Sequence, residues 1–159
     1  MDRHETLRLF AEGRHMEVVP KGRDEHLTWR MEVLDLCRLA PGGEDEGRAW
    51  RGLMWGVSRR DVIFWLNTFV WIHEPMYTGA LVPFNTWGYQ DETVRAIGAA
   101  IGKEDIGLVK SRDMGASWMI LAVLLHRWMF YDMQNERSSC ALGKWKNLSF
   151  SLQSAKSRR

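Results

Sequence analysis

The sequence predicts an α/β fold in which a strand, a phosphate-binding loop and a helix follow one another. Residues 106–109 are a short apolar run, Ile-Gly-Leu-Val, which favours a strand. Residues 110–116 are mostly polar and include a glycine, and residues 117–129 are an apolar stretch long enough for a helix. In such a unit, the backbone N–H groups of the loop and the helix N-terminus bind the phosphates of a nucleotide.

Length and composition predict about one folded domain without a membrane span. The chain has 159 residues, of which 45% are hydrophobic and nine are tryptophan, so it can fill a core. No apolar run reaches the roughly 18 residues that cross a bilayer, and the N-terminus has no apolar signal core. Cys37 and Cys140 lie far apart and predict neither a disulfide framework nor a metal site. We therefore expect a cytoplasmic protein.

The elements before the loop are predicted mainly from the spacing of apolar residues. Leu27, Met31, Leu34 and Cys37 have helical spacing, and Ser58 with Asp61 resembles a capping box at the start of an aromatic helix. The aromatic residues of that helix are expected in the core, and a base-stacking role for them is the weaker alternative. A loop is expected over residues 75–83. The predicted helices span residues 24–39, 58–73, 91–101 and 117–129.

The charge is unevenly distributed along the chain. The net charge is +2, but residues 133–159 carry six basic residues and one acidic residue, which leaves residues 1–132 with −3. This tail is also rich in serine, so it is expected to be disordered and solvated, with contact to DNA phosphates as the alternative. The predicted regions are 1–57, a helical or linker region; 58–132, a partial nucleotide-binding domain with the phosphate loop; and 133–159, the polar basic tail.

The loop departs from the usual phosphate-loop pattern, G-x-x-x-x-G-K-[ST], at two positions. Gly115 fits the second glycine and Ser117 fits the hydroxyl that ligates Mg²⁺. Lys110 stands where the first glycine belongs, and Ala116 stands where the lysine belongs. The lysine of this site must therefore act from the front of the loop. The alternative is a glycine-serine turn that only connects a strand to a helix.

With its displaced lysine, the segment Lys-Ser-Arg-Asp-Met-Gly-Ala-Ser-Trp at 110–118 resembles the phosphate loop of the large terminase subunits of tailed bacteriophages. Residues 62–75 resemble the aromatic segment that opens the ATPase domain of these proteins. Residues 83–90, Pro-Phe-Asn-Thr-Trp-Gly-Tyr-Gln, resemble their adenine-contacting motif. The resemblance covers roughly residues 55–130 and implies a RecA-like, three-layer phosphate-loop NTPase fold, of which this chain would hold the N-terminal portion.

The resemblance also implies site residues, cofactors and partners. ATP and Mg²⁺ are the expected cofactors, with Arg112 meeting transition-state charge as the catalytic residue and Ser117 as the metal ligand. The expected partners are double-stranded DNA, a small terminase subunit and a portal protein, with a homo-oligomeric ring for the full-length motor. The expected nucleotide-binding residues are Lys110, Ser111, Gly115, Ala116, Ser117, Tyr89 and Gln90.

Part of the catalytic machinery has no counterpart in the sequence. ATP hydrolysis needs an acid that holds the metal and a carboxylate that orients water. Asp132 follows apolar residues, but it comes too soon after the loop and is expected to end a helix. We therefore expect a truncated chain that does not turn over ATP. The alternatives are a non-catalytic nucleotide-binding remnant of a prophage and another nucleic-acid motor, such as a helicase. Gln90 and Tyr89 also suit a plain helix N-terminus beside Asp91.

Overall fold

The computed structural model describes residues 2–39, 43–74, 80–109 and 115–131, and this part of the chain is mostly helical. The two strands are β1 (Trp71–Glu74) and β2 (Ala80–Pro83), and a short 3-10 helix covers His15–Val18. The helices are α1 (Arg3–Ala11), α2 (Arg23–Leu39), α3 (Glu44–Arg60), α4 (Val62–Phe69), α5 (Gly88–Ala100) and α6 (Ala116–Phe130).

The prediction of a three-layer α/β fold is wrong. Within the described residues the sheet has only two strands, β1 and β2, which pair antiparallel with Trp71 opposite Pro83 and Glu74 opposite Ala80. A three-layer phosphate-loop fold requires several parallel strands with helices on both faces. The described segments that follow β2 are helix, turn or irregular backbone, so no described strand extends the hairpin into such a sheet.

The predicted strand over residues 106–109 is also wrong. These residues have irregular backbone, and Ile106, Leu108 and Val109 are exposed, Val109 completely. A strand is stabilised by hydrogen bonds to a neighbouring strand, and an apolar central strand is also covered on both faces. Apolar character alone therefore does not make this segment a strand.

The helix predicted over residues 58–73 is divided into three elements. Ser58 lies inside α3. Asp61 is the N-cap of α4, and its carboxylate Oδ1 accepts hydrogen bonds from the N–H groups of Ile63 (2.8 Å) and Phe64 (3.2 Å). Asp61 has extended backbone angles, φ −129° and ψ 106°, so it separates the two helices. The aromatic helix ends at Phe69, and the chain then continues as β1.

The described chain divides into two compact units, the first ending at Ala96 and the second beginning at Ile97, and the division falls within α5. The core of the first unit is formed by apolar residues of α1, α2, α3 and α4. Aromatic rings meet edge to face there, with the Phe10 and Phe64 ring centroids 5.5 Å apart. The buried members of this core are Phe10, Val19, Trp29, Val33, Leu36, Trp50, Met54, Val57 and Phe64.

The helix predicted over residues 24–39 is confirmed as α2. Of the residues whose spacing predicted it, Leu27 and Met31 are 40% and 49% exposed. The buried residues of α2 include Trp29 and Val33, together with the polar side chains of His26 and Arg30. None of the helices in the described ranges is both long and apolar enough to cross a bilayer.

Candidate functional site: the start of α6 and the polar node before α5

The start of α6 has the backbone geometry of an anion-binding helix terminus. Gly115 is the N-cap and lies in the left-handed region, with φ 74° and ψ 14°, which glycine adopts without the steric cost of a Cβ. The first hydrogen bond of the helix runs from the Met119 N–H to the Gly115 carbonyl, at 3.0 Å. The N–H groups of Ala116, Ser117 and Trp118 therefore have no acceptor within the helix.

The electrostatics of this helix end favour an anion. α6 has 15 residues, and its peptide dipoles place partial positive charge at the N-terminus. No acidic residue lies in its first turn, and among the described residues no side chain caps it. Ser117 is exposed, whereas Ala116 is buried. The arrangement presents backbone N–H groups and one hydroxyl at the same end of the helix.

The predicted site residues of the loop itself are only partly described. Gly115, Ala116 and Ser117 lie together at the start of α6. Lys110, Ser111 and Arg112 lie outside the described residues, as do Asp132 and the predicted tail. Their roles stay predictions.

The segment that was predicted to contact adenine forms the N-terminus of α5. The Gln90 side chain is buried, and its Oε1 accepts the N–H of Trp87 at 3.0 Å. This is one half of a capping box, and it gives the Trp87 N–H at the helix start an acceptor. Tyr89 and Trp87 are exposed at 44% and 69%. The helix N-terminus reading of this segment is thus confirmed, and adenine contact by Gln90 and Tyr89 stays a prediction.

A buried group of polar residues, here called the polar node, positions this segment and consists of His26, Arg30, Asn67 and Thr86. Asn67 Oδ1 accepts the Thr86 N–H at 3.0 Å, and Asn67 Nδ2 donates to the Ile63 carbonyl and to Thr86 Oγ1, both at 2.8 Å. Thr86 Oγ1 in turn donates to Asp91 Oδ1. The Asn67 side chain therefore connects α4 to the first turn of α5.

Arg30 supplies the cation of the polar node. Its guanidinium is fully buried and donates to the backbone carbonyls of Val70 (2.8 Å), Leu66 (2.9 Å) and Phe84 (3.0 Å). It also lies 5.4 Å from the centroid of the Trp71 ring. The carbonyls of Leu66 and Val70 belong to the C-terminal end of α4, where partial negative charge accumulates. Burial lowers the pKa of Arg30 to about 10, so the guanidinium remains charged at neutral pH.

His26 completes the polar node from the same face of α2. Its Nε2 lies 2.7 Å from the Asn67 carbonyl oxygen, so the neutral ring donates from Nε2. Burial, together with the nearby positive charge of Arg30, lowers the pKa of His26 from 6.5 to about 4. The imidazole is therefore neutral in the folded protein at neutral pH.

The first unit is expected to lose stability in mild acid because of His26. In the unfolded chain His26 binds a proton near pH 6.5, whereas the folded protein resists protonation down to about pH 4. The free energy of unfolding should therefore fall as the pH drops from 6.5 to 4, by up to about 3 kcal/mol at about 1.4 kcal/mol per pKa unit. Urea unfolding of the wild type and of His26→Gln between pH 6.5 and 4 measures this loss of stability. If the free energy of unfolding of His26→Gln falls as steeply with pH as that of the wild type, His26 is not the cause of the acid sensitivity.

The polar node was not predicted, although the sequence carries a signal for it. His26 and Arg30 are four residues apart and interleave with Trp29 and Val33, so a helix places all four on one face. An apolar stripe that includes two basic residues indicates buried, hydrogen-bonded polar side chains rather than a solvated face.

The chain has no match among protein-family models, curated proteins or solved structures. Within the described ranges, no group of three or more His, Cys, Asp or Glu side chains could hold a metal ion. The residues fit a phosphate-bound Mg²⁺ better than a metal held by protein carboxylates, because the start of α6 offers N–H donors and the exposed Ser117 hydroxyl.

Proposed function

We propose that the chain binds ATP through its phosphates at the start of α6. The observation that carries this proposal is the left-handed Gly115 N-cap, which is followed by a 15-residue helix whose first N–H groups have no acceptor within the helix. The same positions fit the glycine and the hydroxyl of the phosphate-loop pattern in the sequence. The backbone geometry suits a phosphate group and the sequence pattern indicates a nucleotide, so the two observations are consistent with each other.

In this proposal each residue of the loop has a distinct role. The N–H groups of residues 116–118 donate to phosphate oxygens, and Gly115 permits the close approach of the backbone. Lys110 supplies the positive charge that Ala116 cannot, and Arg112 donates to the terminal phosphate. Mg²⁺ would be held by the Ser117 hydroxyl together with the phosphates, where it neutralises phosphate charge.

The resemblance of residues 110–118 supports a wider proposal about the biological setting. We infer that the chain represents the N-terminal portion of a terminase-type motor that acts on double-stranded DNA in the host cytoplasm, with a small terminase subunit and a portal protein as partners. Within this chain we propose nucleotide binding without turnover, because the sequence offers no acid in the position that the metal and the attacking water require.

Replacing Lys110 is expected to remove most of the ATP affinity. A charge-assisted hydrogen bond contributes roughly 1.5–3 kcal/mol, which corresponds to about a 10- to 100-fold weaker Kd for Lys110→Ala. Isothermal titration calorimetry of the full-length chain with ATP and Mg²⁺ measures the Kd of the wild type and of the variant. The matched control is Lys103→Ala, which removes an exposed lysine from the turn after α5 and should leave the Kd unchanged.

A second variant separates the metal from the phosphate contacts. Ser117→Ala should weaken ATP binding in Mg²⁺ and leave it unchanged in EDTA, since only the metal requires the hydroxyl. Equal ATP affinity in wild type and Lys110→Ala would refute the proposed site.

A further inference from the structure

α6 presents an exposed apolar stripe along one side. Trp118, Leu121, Leu125 and Trp128 are 44%, 44%, 45% and 54% exposed. Their spacing of three, four and three residues places them in a single row on the helix. Large apolar side chains scattered singly on a surface are ordinary, but a continuous row of four marks an interaction surface.

The opposite side of the same helix is already buried. Met119, Val123 and Phe130 are buried there, together with His126. α6 is therefore apolar on both sides, and its buried face is distinct from the exposed stripe. A helix that is apolar all round is normally covered all round, so the stripe requires a partner.

The stripe reads the same in both directions, Trp-Leu-Leu-Trp with a spacing of three, four and three. We propose that its partner is a second copy of this chain, packed against it as an antiparallel helix pair. A two-fold axis midway between residues 121 and 125 places Trp118 opposite Trp128 of the second copy and Leu121 opposite its Leu125. Such a self-complementary surface is what an isologous two-fold interface requires.

The residues that flank the stripe are compatible with this pairing. Leu124 and Met129 lie beside the seam and are partly buried, and Ser117 lies at its start. No charged residue occupies the seam or its immediate flanks; Arg127 lies outside them at coiled-coil position c. The antiparallel orientation also pairs the helix dipoles favourably.

The size of the surface sets the expected strength. The four side chains expose on the order of 400 Å² per copy, so the pair buries roughly 800–1,000 Å² with its flanks. Stable interfaces bury about 1,200–2,000 Å², so a reversible dimer with a Kd in the micromolar range is expected.

Analytical ultracentrifugation of the full chain over about 1–100 µM tests self-association. The wild type should pass from monomer to dimer, and Leu121→Glu with Leu125→Glu should weaken the dimer at least tenfold in Kd. The matched control is Leu7→Glu in α1, because Leu7 is exposed to the same extent, 45%, as Leu125. Trp128→Gln is a milder second variant with the same expected direction, and circular dichroism checks that each variant folds.

Disulfide formation tests the orientation, in a background with Cys37→Ser and Cys140→Ser. Trp118→Cys mixed with Trp128→Cys should form a crosslinked dimer. Trp118→Cys alone should not, because its two cysteines would lie about 15 Å apart along the pair, beyond the roughly 7 Å that a disulfide spans. A monomeric wild type, an undiminished dimer in the double glutamate variant, or crosslinks in Trp118→Cys alone would each overturn the proposal. If the wild type is monomeric because residues 132–159 cover the stripe, the proposal of a dimer is also overturned.

Discussion

Arg30→Met is expected to destabilise the first unit by about 3 kcal/mol. Methionine replaces the apolar stem of the side chain but is shorter, and it removes three hydrogen bonds to the carbonyls of Leu66, Val70 and Phe84. The carbonyls of Leu66 and Val70 each keep one backbone N–H donor, from Val70 and Phe84 respectively. The guanidinium bonds are charge-assisted and buried, so their loss is costly even though methionine itself is easier to bury.

Urea unfolding followed by circular dichroism measures this effect. Arg23→Met is the matched control, because Arg23 is an exposed arginine at the start of the same helix and should change stability by less than about 0.5 kcal/mol. If Arg30→Met unfolds at the same urea concentration as the wild type, the desolvation cost of the buried cation equals what its hydrogen bonds contribute. The polar node would then not hold the unit together.

Asn67→Leu is the second large change, with an expected loss of about 2–4 kcal/mol. Leucine is similar in size to asparagine, but it leaves the Thr86 N–H without its acceptor and the Ile63 carbonyl without the side-chain donor. Both hydrogen bonds are buried, so water does not readily replace the lost partner of the Thr86 N–H or of the Ile63 carbonyl.

Amide hydrogen exchange gives this variant a local readout. The Thr86 N–H should exchange faster in Asn67→Leu than in wild type, whereas Asn85→Leu, which removes only an exposed bond to the Lys21 carbonyl, should cost about 1 kcal/mol or less. Unchanged protection of the Thr86 amide in Asn67→Leu would show that the Asn67 side chain does not position the start of α5.

The helices with strong local signals were predictable, whereas α1 and α3 were not predicted as separate helices. α2 was expected from apolar residues at helical spacing and α6 from its long apolar stretch, and both are found within one or two residues of the predicted ends. The start of α5 at Gly88 was missed by three residues, because the cap formed by Gln90 depends on side-chain geometry rather than on apolar spacing.

The errors arise where pairing partners decide the structure. The apolar run of residues 106–109 suits a strand, but a strand depends on neighbours that lie elsewhere in the chain. The spacing of Leu27 and Met31 helped to predict α2, but the buried apolar residues of this helix are Trp29, Val33 and Leu36, which the spacing did not single out. The predicted capping box placed the start of the aromatic helix at Ser58, three residues before the observed N-cap, Asp61. The role of Asp61 as N-cap becomes visible only from its backbone angles.

The site could be predicted only in part for the same reason. The phosphate-loop pattern singled out Gly115 and Ser117, and both lie at the start of α6, where Gly115 is left-handed. Their role in nucleotide binding stays a prediction. The polar node was missed because a fully buried arginine is rare, and the local sequence does not show that backbone carbonyls accept its hydrogen bonds.

Backbone amide chemical shifts recorded during an ATP·Mg²⁺ titration test phosphate binding at the start of α6 most directly. The amides of Ala116, Ser117 and Trp118 are expected to shift together and to saturate with ATP, and the shifts should be absent with adenosine, which lacks the phosphates. Lys110→Ala should move the same titration to higher ATP concentration. Saturable shifts elsewhere in the chain with none at residues 115–118, or the same shifts with adenosine as with ATP, would contradict the account.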